Sequence, residues 1–552
     1  MSGLEIAGVP LAVAGLLLSV KGAVDGYNML ADVCAKDTGL DFAKTQYLVE
    51  EVKFQVWARR VRADDEANCL LLKQPRMTRD AVWRIVAEIN ATHELAVDFV
   101  AKFHAEPVPL PNTAAAVAGQ ETFHRQSKWV AMMAEARAKI PKRHRISWVA
   151  RHRDSFTNLI SRLGVLNKDL WDVMASEEVD TVSIVTGVLS GLNDQLSLVT
   201  LQNSPHNDPA SLLALAAHLK QLQGKTVSEL AAKVKSIDSS ELSVLQAESN
   251  NTANRFQGTF TDKAPGSLPE PVWIEWKAIG KSSYAMNDIL VRIHALGALL
   301  SATNAAAFHR PACLGVYDDE RYRERTDGSR RVGLVYRSIA ANGLPVPLSR
   351  LLINAREART RPALGVRFDL AYKLASAVSL LHATDWIHKS LRSDNILFAS
   401  EEADALAAPQ IAGIQYSRPE GDASLEGRPT QIPELDMYYP PNVVMGASWT
   451  KFNELYSLGI VLLEIAHWRP LFEERYRRLQ PGQVSRAILD DLEDKFGVDL
   501  EGLVGRVFVN VIKRCLTGSF GVPGGLSRAD ESKALSDAFF DKVVKPLAKL
   551  KA

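Results

Sequence analysis

Through the first 235 residues, apolar side chains recur at three- and four-residue spacing, the period of a helix with one buried face. This predicts helices over 41–62, 78–105, 113–139, 146–176 and 209–236. In the fourth, Phe156, Leu159, Ile160, Leu163, Leu166, Leu170 and Val173 form one stripe. Alternation of the kind strands show is hard to find here, so the region reads as an all-α helical bundle. Residues 237–270 are polar and rich in turn formers, as at a linker or a domain entry. Short β-rich runs follow at 272–279, 313–319 and 331–339. Long helical stretches come next at 365–383, 450–467, 484–495 and 502–516, with one more amphipathic helix over 534–550. Strands followed by helices predict a two-layer α+β domain, or two lobes.

Near the N-terminus the pattern is apolar without period. Ile6 to Val20 carries no charge, and Gly8, Gly15 and Gly22 repeat at seven residues. The run is short for a transmembrane helix and suits a buried or interfacial one. It follows Glu5 with no basic residue before it, so a signal peptide is not expected, nor is myristoylation, which needs glycine where Ser2 stands.

At 47% hydrophobic and 23% charged, the 552-residue chain is expected to build large packed cores. Sixty-five Lys and Arg against 64 Asp and Glu give no global reason to expect nucleic acid as partner. Cys34, Cys69, Cys313 and Cys515 are far apart without metal-ligand spacing, so neither a disulfide framework nor a zinc site is expected, and a reducing compartment fits.

Residues 386–398 read WIHKSLRSDNILF. His388, Leu391 and Asn395, followed by an apolar strand, resemble the catalytic loop of the protein-kinase family. Leu381-His382 before the loop, LYSLGIVLLEIAHWRP at 455–470, Tyr439-Pro440-Pro441-Asn442 and Arg514-Cys515-Leu516 extend the resemblance over about 255–550. It implies a two-lobed α+β fold. Four of that family's usual chemical elements are altered or missing. Ser390 stands where the resemblance places the catalytic base, and a hydroxyl cannot accept the substrate proton as a carboxylate does. Arg392 belongs to the same degenerate loop. Gly413, in Gly413-Ile414-Gln415, stands where the metal-binding aspartate should be, and offers Mg²⁺ no ligand. No glycine-rich loop precedes Lys277, and the helix expected over 285–301 holds no glutamate, only Asp288. Lys277 and Asn395 remain as weak nucleotide-site candidates. The expectation is a pseudokinase with no catalytic residue, no metal and no required cofactor, any ATP binding being weak.

The opening AGVPLAVAGLLLSVKGAVDGY, then VEEVKFQVWARRV and ISWVARHRDSFTNLISRLGVLNKDL, resembles the HeLo domain of fungal heterokaryon-incompatibility and prion-controlled cell-death effectors, over about 4–215. The resemblance implies an N-terminal helix that leaves the bundle and enters membrane. Its candidates are Ile6, Val9, Leu11, Val13, Leu16, Leu17, Leu18 and Val20; the alternative is a core helix that never leaves. Arg137 to Arg153 holds seven basic residues and no acid. Lys142, Arg143 and Arg145 are candidates for lipid headgroups, or for a solvated loop.

The expected organisation is a helical bundle over 1–235, a linker over 236–254 and a kinase-like domain over 255–552. The expected role is a cytoplasmic effector of cell death or allorecognition, recruited to the plasma membrane on activation. Membrane lipids, an upstream protein activator and further copies of the chain are the expected partners. A signalling kinase with atypical motifs and a non-enzymatic scaffold stay open as alternatives.

Overall fold

The computed structural model describes residues 19–20, 22–27, 41–63, 69–101, 145–173, 178–190, 192, 195–202, 210–222, 229, 231–232, 234–245, 255–280, 286–301, 308–326, 328–340, 344–419, 432–480, 482–494 and 499–550. Two compact units divide at Pro209 and Ala210.

The first unit is helical. Its described elements are α1 (Asp41–Arg60), α2 (Arg76–Ala101), α3 (Arg145–Val173), α4 (Glu178–Ser190) and α5 (Gln195–Gln202), with residues 22–27 also helical. The expected stripe on α3 is the buried one. Ile160, Leu163 and Leu170 are buried, Leu159 and Leu166 half-buried, and Val173, at the helix end, is exposed. All of these but Val173 join or pack against Tyr47, Phe54 and Trp57 of α1 and Val82, Val86 and Ile89 of α2 in one core. Val20, Ala23 and Tyr27 are buried in the same core. Several polar atoms in this core are paired. The Tyr47 hydroxyl donates to the Tyr27 carbonyl at 2.9 Å, and the Tyr27 hydroxyl donates to Asn167 at 3.2 Å. Asn167 in turn donates to the Glu50 backbone and side chain, each at 2.9 Å. Of the other membrane-segment candidates, Ile6, Val9, Leu11, Val13, Leu16, Leu17 and Leu18 lie outside the described residues, as do Lys142 and Arg143 and the helix expected at 113–139. Arg145 begins α3; its side chain is not described.

The second unit mixes sheet and helix. It opens with α6 (Ala210–Leu222), where Leu213, Ala216, Ala217 and Lys220 share the buried face. A lysine survives there because Lys220 pairs with Asp385 at 3.1 Å, which also receives Lys451 at 3.0 Å. Of the helix expected over 209–236, Ala210–Leu222 is described as helix, and residues 229 and 231 are helical as well.

Next comes a five-stranded antiparallel sheet ordered β1-β2-β3-β5-β4: β1 (Leu242–Val244), β2 (Arg255–Phe260), β3 (Glu270–Ile279), β4 (Cys313–Asp318) and β5 (Arg330–Arg337). The last three fall on the expected runs. The first two lie inside the polar stretch 237–270 read as a linker or a domain entry, β1 within the expected linker and β2 at the expected start of the domain. They form because pairing, not composition, buries them: Leu242 lies opposite Phe260, and both join Val272, Ile274 and Trp276 on one face. Gly258 permits the close approach, since a Cβ there would stand 2.8 Å from the Ser243 carbonyl oxygen.

Helix α7 (Met286–Ser301) links β3 to β4, and α8 (Glu320–Arg325) links β4 to β5. The helical part follows: β6 (Val346–Pro347), α9 (Leu348–Ala358), α10 (Leu364–Ala383), β7 (Trp386–Ile387), β8 (Ile396–Phe398), β9 (Gln410–Ile411), β10 (Arg418–Pro419), α11 (Lys451–His467), α12 (Gln483–Asp494), α13 (Leu500–Thr517) and α14 (Arg528–Phe539). Helix α11 is rich in apolar residues and buried almost throughout, with Glu454 and Glu464 among its buried side chains. A capping box of Thr450 and Asn453 starts it.

Candidate functional site

Strand β3 alternates. Val272, Ile274 and Trp276 belong to the hydrophobic cluster, so Trp273, Glu275 and Lys277 face the other way. Glu275 is 1% exposed. A carboxylate so buried needs a partner, and register supplies one, because Arg255 of β2 stands directly opposite. Arg255 Nε and Nη2 donate to Glu275 Oε1 at 2.9 and 2.8 Å. The guanidinium also reaches the loop at 390–395. Nη2 donates to Asn395 Oδ1 at 2.5 Å, and Nη1 to the Asp394 carbonyl at 2.6 Å.

Asn395 is committed on its other side too. Its Nδ2 donates to the Ser390 carbonyl at 2.5 Å and to Ser390 Oγ at 2.9 Å. The Gly413 N–H donates to Glu275 Oε2 at 3.1 Å. Gly413 has φ +87°, a left-handed conformation that suits glycine, and a Cβ there would lie 2.3 Å from Asn395 Nδ2. Ser390, Asn395 and Gly413 are thus brought together, and the fourth and fifth members are Arg255 and Glu275.

The loop is held from behind by one carboxylate. Glu454 of α11 is fully buried; Oε1 accepts the His388 N–H at 2.8 Å, and Oε2 meets His382 Nε2 at 2.9 Å. His388 Nδ1 accepts the Ser390 N–H at 3.2 Å. Burial lowers the His388 pKa below the usual histidine value, so the ring is neutral near pH 7. Arg392 stands beside Asp394, Nε to Oδ2 3.8 Å. Asp394 Oδ1 accepts from Ser349 at 2.7 Å, away from the Asn395 amide.

Lys277 goes elsewhere. Its ammonium lies 3.9 Å from the centroid of the Tyr416 ring, a cation–π distance. Asp288 is exposed in the first turn of α7. Among the described residues no three His, Cys, Asp or Glu side chains gather as a metal site would require. Chemically, the cluster pairs one fixed cation with one fixed anion, and Asn395 spends its amide on Arg255 and Ser390.

Arg255 and Glu275 are the residues that sequence reading misses. The signal for Glu275 was a charge inside the apolar run VWIEW, and buried charges are rare unless paired. Arg255 gave no signal, because it lies in the polar, turn-rich stretch read as a linker or a domain entry.

Comparison with known proteins adds two families. Residues 8–201 match the HeLo model, described as prion-inhibition and propagation, so the N-terminal region is a HeLo domain. Residues 344–551 match a domain of unknown function, DUF7580. Three Arabidopsis thaliana proteins show partial similarity. A probable receptor-like protein kinase is 26% identical over 158 residues, covering 26% of this chain and 23% of the relative. A serine/threonine-protein kinase-like protein is 36% identical over 106 residues, 19% of this chain and 28% of the relative. A probable serine/threonine-protein kinase is 28% identical over 108 residues, 20% of this chain and 27% of the relative. The chain therefore spans about a quarter of the length of these curated relatives.

Proposed function

We propose that the chain is a non-catalytic effector of cell death or allorecognition. In this reading the second unit is a pseudokinase that restrains or senses, and the HeLo domain acts at the membrane through its N-terminal segment. The observation that carries the non-catalytic part is the Arg255–Glu275 pair lodged against Asn395. Phosphoryl transfer runs on metal ions and charge neutralisation around the phosphates. Here a guanidinium holds the asparagine, Gly413 has no side chain, and Ser390 is no base. The HeLo match and the partial similarity to kinases support the two-part architecture. ATP binds weakly or not at all. On activation the protein moves from the cytoplasm to the plasma membrane, with an upstream protein as trigger and self-association as a consequence.

No helix among the described residues is long and apolar enough to cross a membrane, and the segment in question, Ile6–Val20, precedes them almost wholly. A lysine at Leu16 or Leu17 costs about 2.5–3.5 kcal/mol near a bilayer centre. Purified protein is expected to release dye from liposomes when activated, and Leu16→Lys or Leu17→Lys, folded by circular dichroism, is expected to abolish release. Unchanged release would leave the scaffold reading ahead. The kinase names of the relatives favour a second reading, an atypical serine/threonine kinase. Mg²⁺-dependent autophosphorylation lost in Asn395→Ala would establish that one instead.

A further inference from the structure

Helix α9 ends in a run of cations. Arg356, Arg359 and Arg361 are exposed, and their side chains make no ion pair or hydrogen bond among the described residues. The one acid between them is Glu357, also exposed. Arg350, a helix turn and a half earlier, is neutralised by Glu401 at 3.0 Å, so the unpaired charge is confined to the helix end. The backbone fixes this end. Arg359 caps the helix in a left-handed conformation, and the Thr360 N–H returns to the Ala355 carbonyl at 3.0 Å. Near Arg361 lies Arg367, buried, its Nη1 on the Ala466 carbonyl at 2.7 Å and its Nε without a partner. Burial and the neighbouring Arg361 hold its pKa down to about 10. Ile353, one turn before Arg356, is 48% exposed on the same helix.

We infer that the C-terminal end of α9 and the loop to α10 form a docking surface for anionic lipid headgroups. Three exposed arginines against one glutamate are complementary to a field of phosphates. The cations project from a helix end and a loop, so they suit many anions spread over a plane. The exposed isoleucine beside them can enter the headgroup layer, as apolar residues of interfacial helices do. This surface lies on the second unit and goes beyond the action assigned to the HeLo domain.

The test uses the full chain carrying Leu17→Lys, which removes insertion by the N-terminal segment. Binding to phosphatidylserine-containing vesicles and to phosphatidylcholine vesicles is read by co-sedimentation. The Leu17→Lys chain is expected to bind the anionic vesicles, and added salt to weaken binding. Arg356→Gln, Arg359→Gln and Arg361→Gln together are expected to weaken it about a hundredfold, at about fivefold per cation. Single Arg356→Gln, expected to lose about fivefold, serves if the triple variant does not fold. Parental binding by a folded triple variant overturns the inference. So does a Leu17→Lys chain that ignores the vesicles and binds soluble poly-glutamate, which would make the patch a protein-docking surface. Either failure leaves the reading of the N-terminal segment untouched, because dye release is not the readout.

Discussion

Gly413 sits so close to Asn395 that a Cβ on it would fall 2.3 Å from the amide nitrogen. In the pseudokinase reading proposed above, which places Gly413 where kinases hold metal with an aspartate, one substitution does not put that aspartate back. Gly413→Asp must move Asn395, which Arg255 and Ser390 hold, and must take a φ of +87°. The variant is expected to lose about 1–3 kcal/mol from backbone strain, with the clash added. Thermal shift with and without Mg²⁺-ATP checks it: a lower Tm and no Mg²⁺-ATP stabilisation are expected, and Mg²⁺-ATP rescue would refute the account.

Arg255→Met leaves Glu275 buried without its cation. Breaking a buried pair this way costs about 3–5 kcal/mol, whereas replacing both charges costs far less. Arg255→Met with Glu275→Leu is expected to be more stable than Arg255→Met alone. Urea unfolding followed by tryptophan fluorescence measures the coupling, since Trp273 stands 5.7 Å from the guanidinium. Additive losses would mean the pair is not a unit.

Burial pushes the Glu464 carboxyl up to about 8, from an ordinary value of 4.5. Its Oε2 accepts from Tyr438 at 2.9 Å, and the tyrosine hydroxyl meets Ser393 at 2.7 Å. A carboxyl raised in the folded state is protonated there while the unfolded chain is already ionised. Stability from this group is complete below about 4.5 and is lost as pH rises through about 8. Asp436, raised to about 6, adds the same sign at lower pH. Between about pH 6.5 and 8, then, Tm of the second unit is expected to fall with pH, and Glu464→Gln is expected to flatten the fall. A slope equally steep in the glutamine variant would remove Glu464 as its source.

The first unit responds in the opposite sense. His93 is fully buried, its ring edge-on to Tyr27 at 4.4 Å, and neither ring nitrogen has a partner. Burial lowers its pKa from 6.5 to about 3. Its contribution is complete above about 6.5 and is lost as pH falls toward about 3, amounting to about 2 kcal/mol at pH 5. His93→Phe keeps an aromatic ring and is expected to abolish that loss. Hydrogen exchange over residues 22–27 at pH 5 and pH 8 reads it out, and equal acid sensitivity in the phenylalanine variant would count against it.

Much of this was written in local patterns. The stripe Ile160, Leu163, Leu170 and the apolar run of β3 follow from period alone, because burial on one face is a local property of a helix or strand. Ser390, in the loop at 386–398, and Gly413, in the run after it, were singled out as separate residues, and the structure adds that both meet Asn395. The Arg255–Glu275 pair was not. It joins residues 20 apart through strand register, and β2 itself, RFQGTF, mixes glycine and polar residues in a way that reads as turn. Lys277 drew attention because it was the right residue type, yet two positions earlier on the same face stood the side chain that the fold buries.

A cation supplied by the chain differs from one supplied by the cell. Arg255 is present at one per molecule, cannot be chelated, and does not fall in concentration when nucleotide is spent. A loop organised by magnesium and ATP changes with the energy charge of the cytosol, whereas a loop organised by a guanidinium keeps its shape in an exhausted cell as in a growing one.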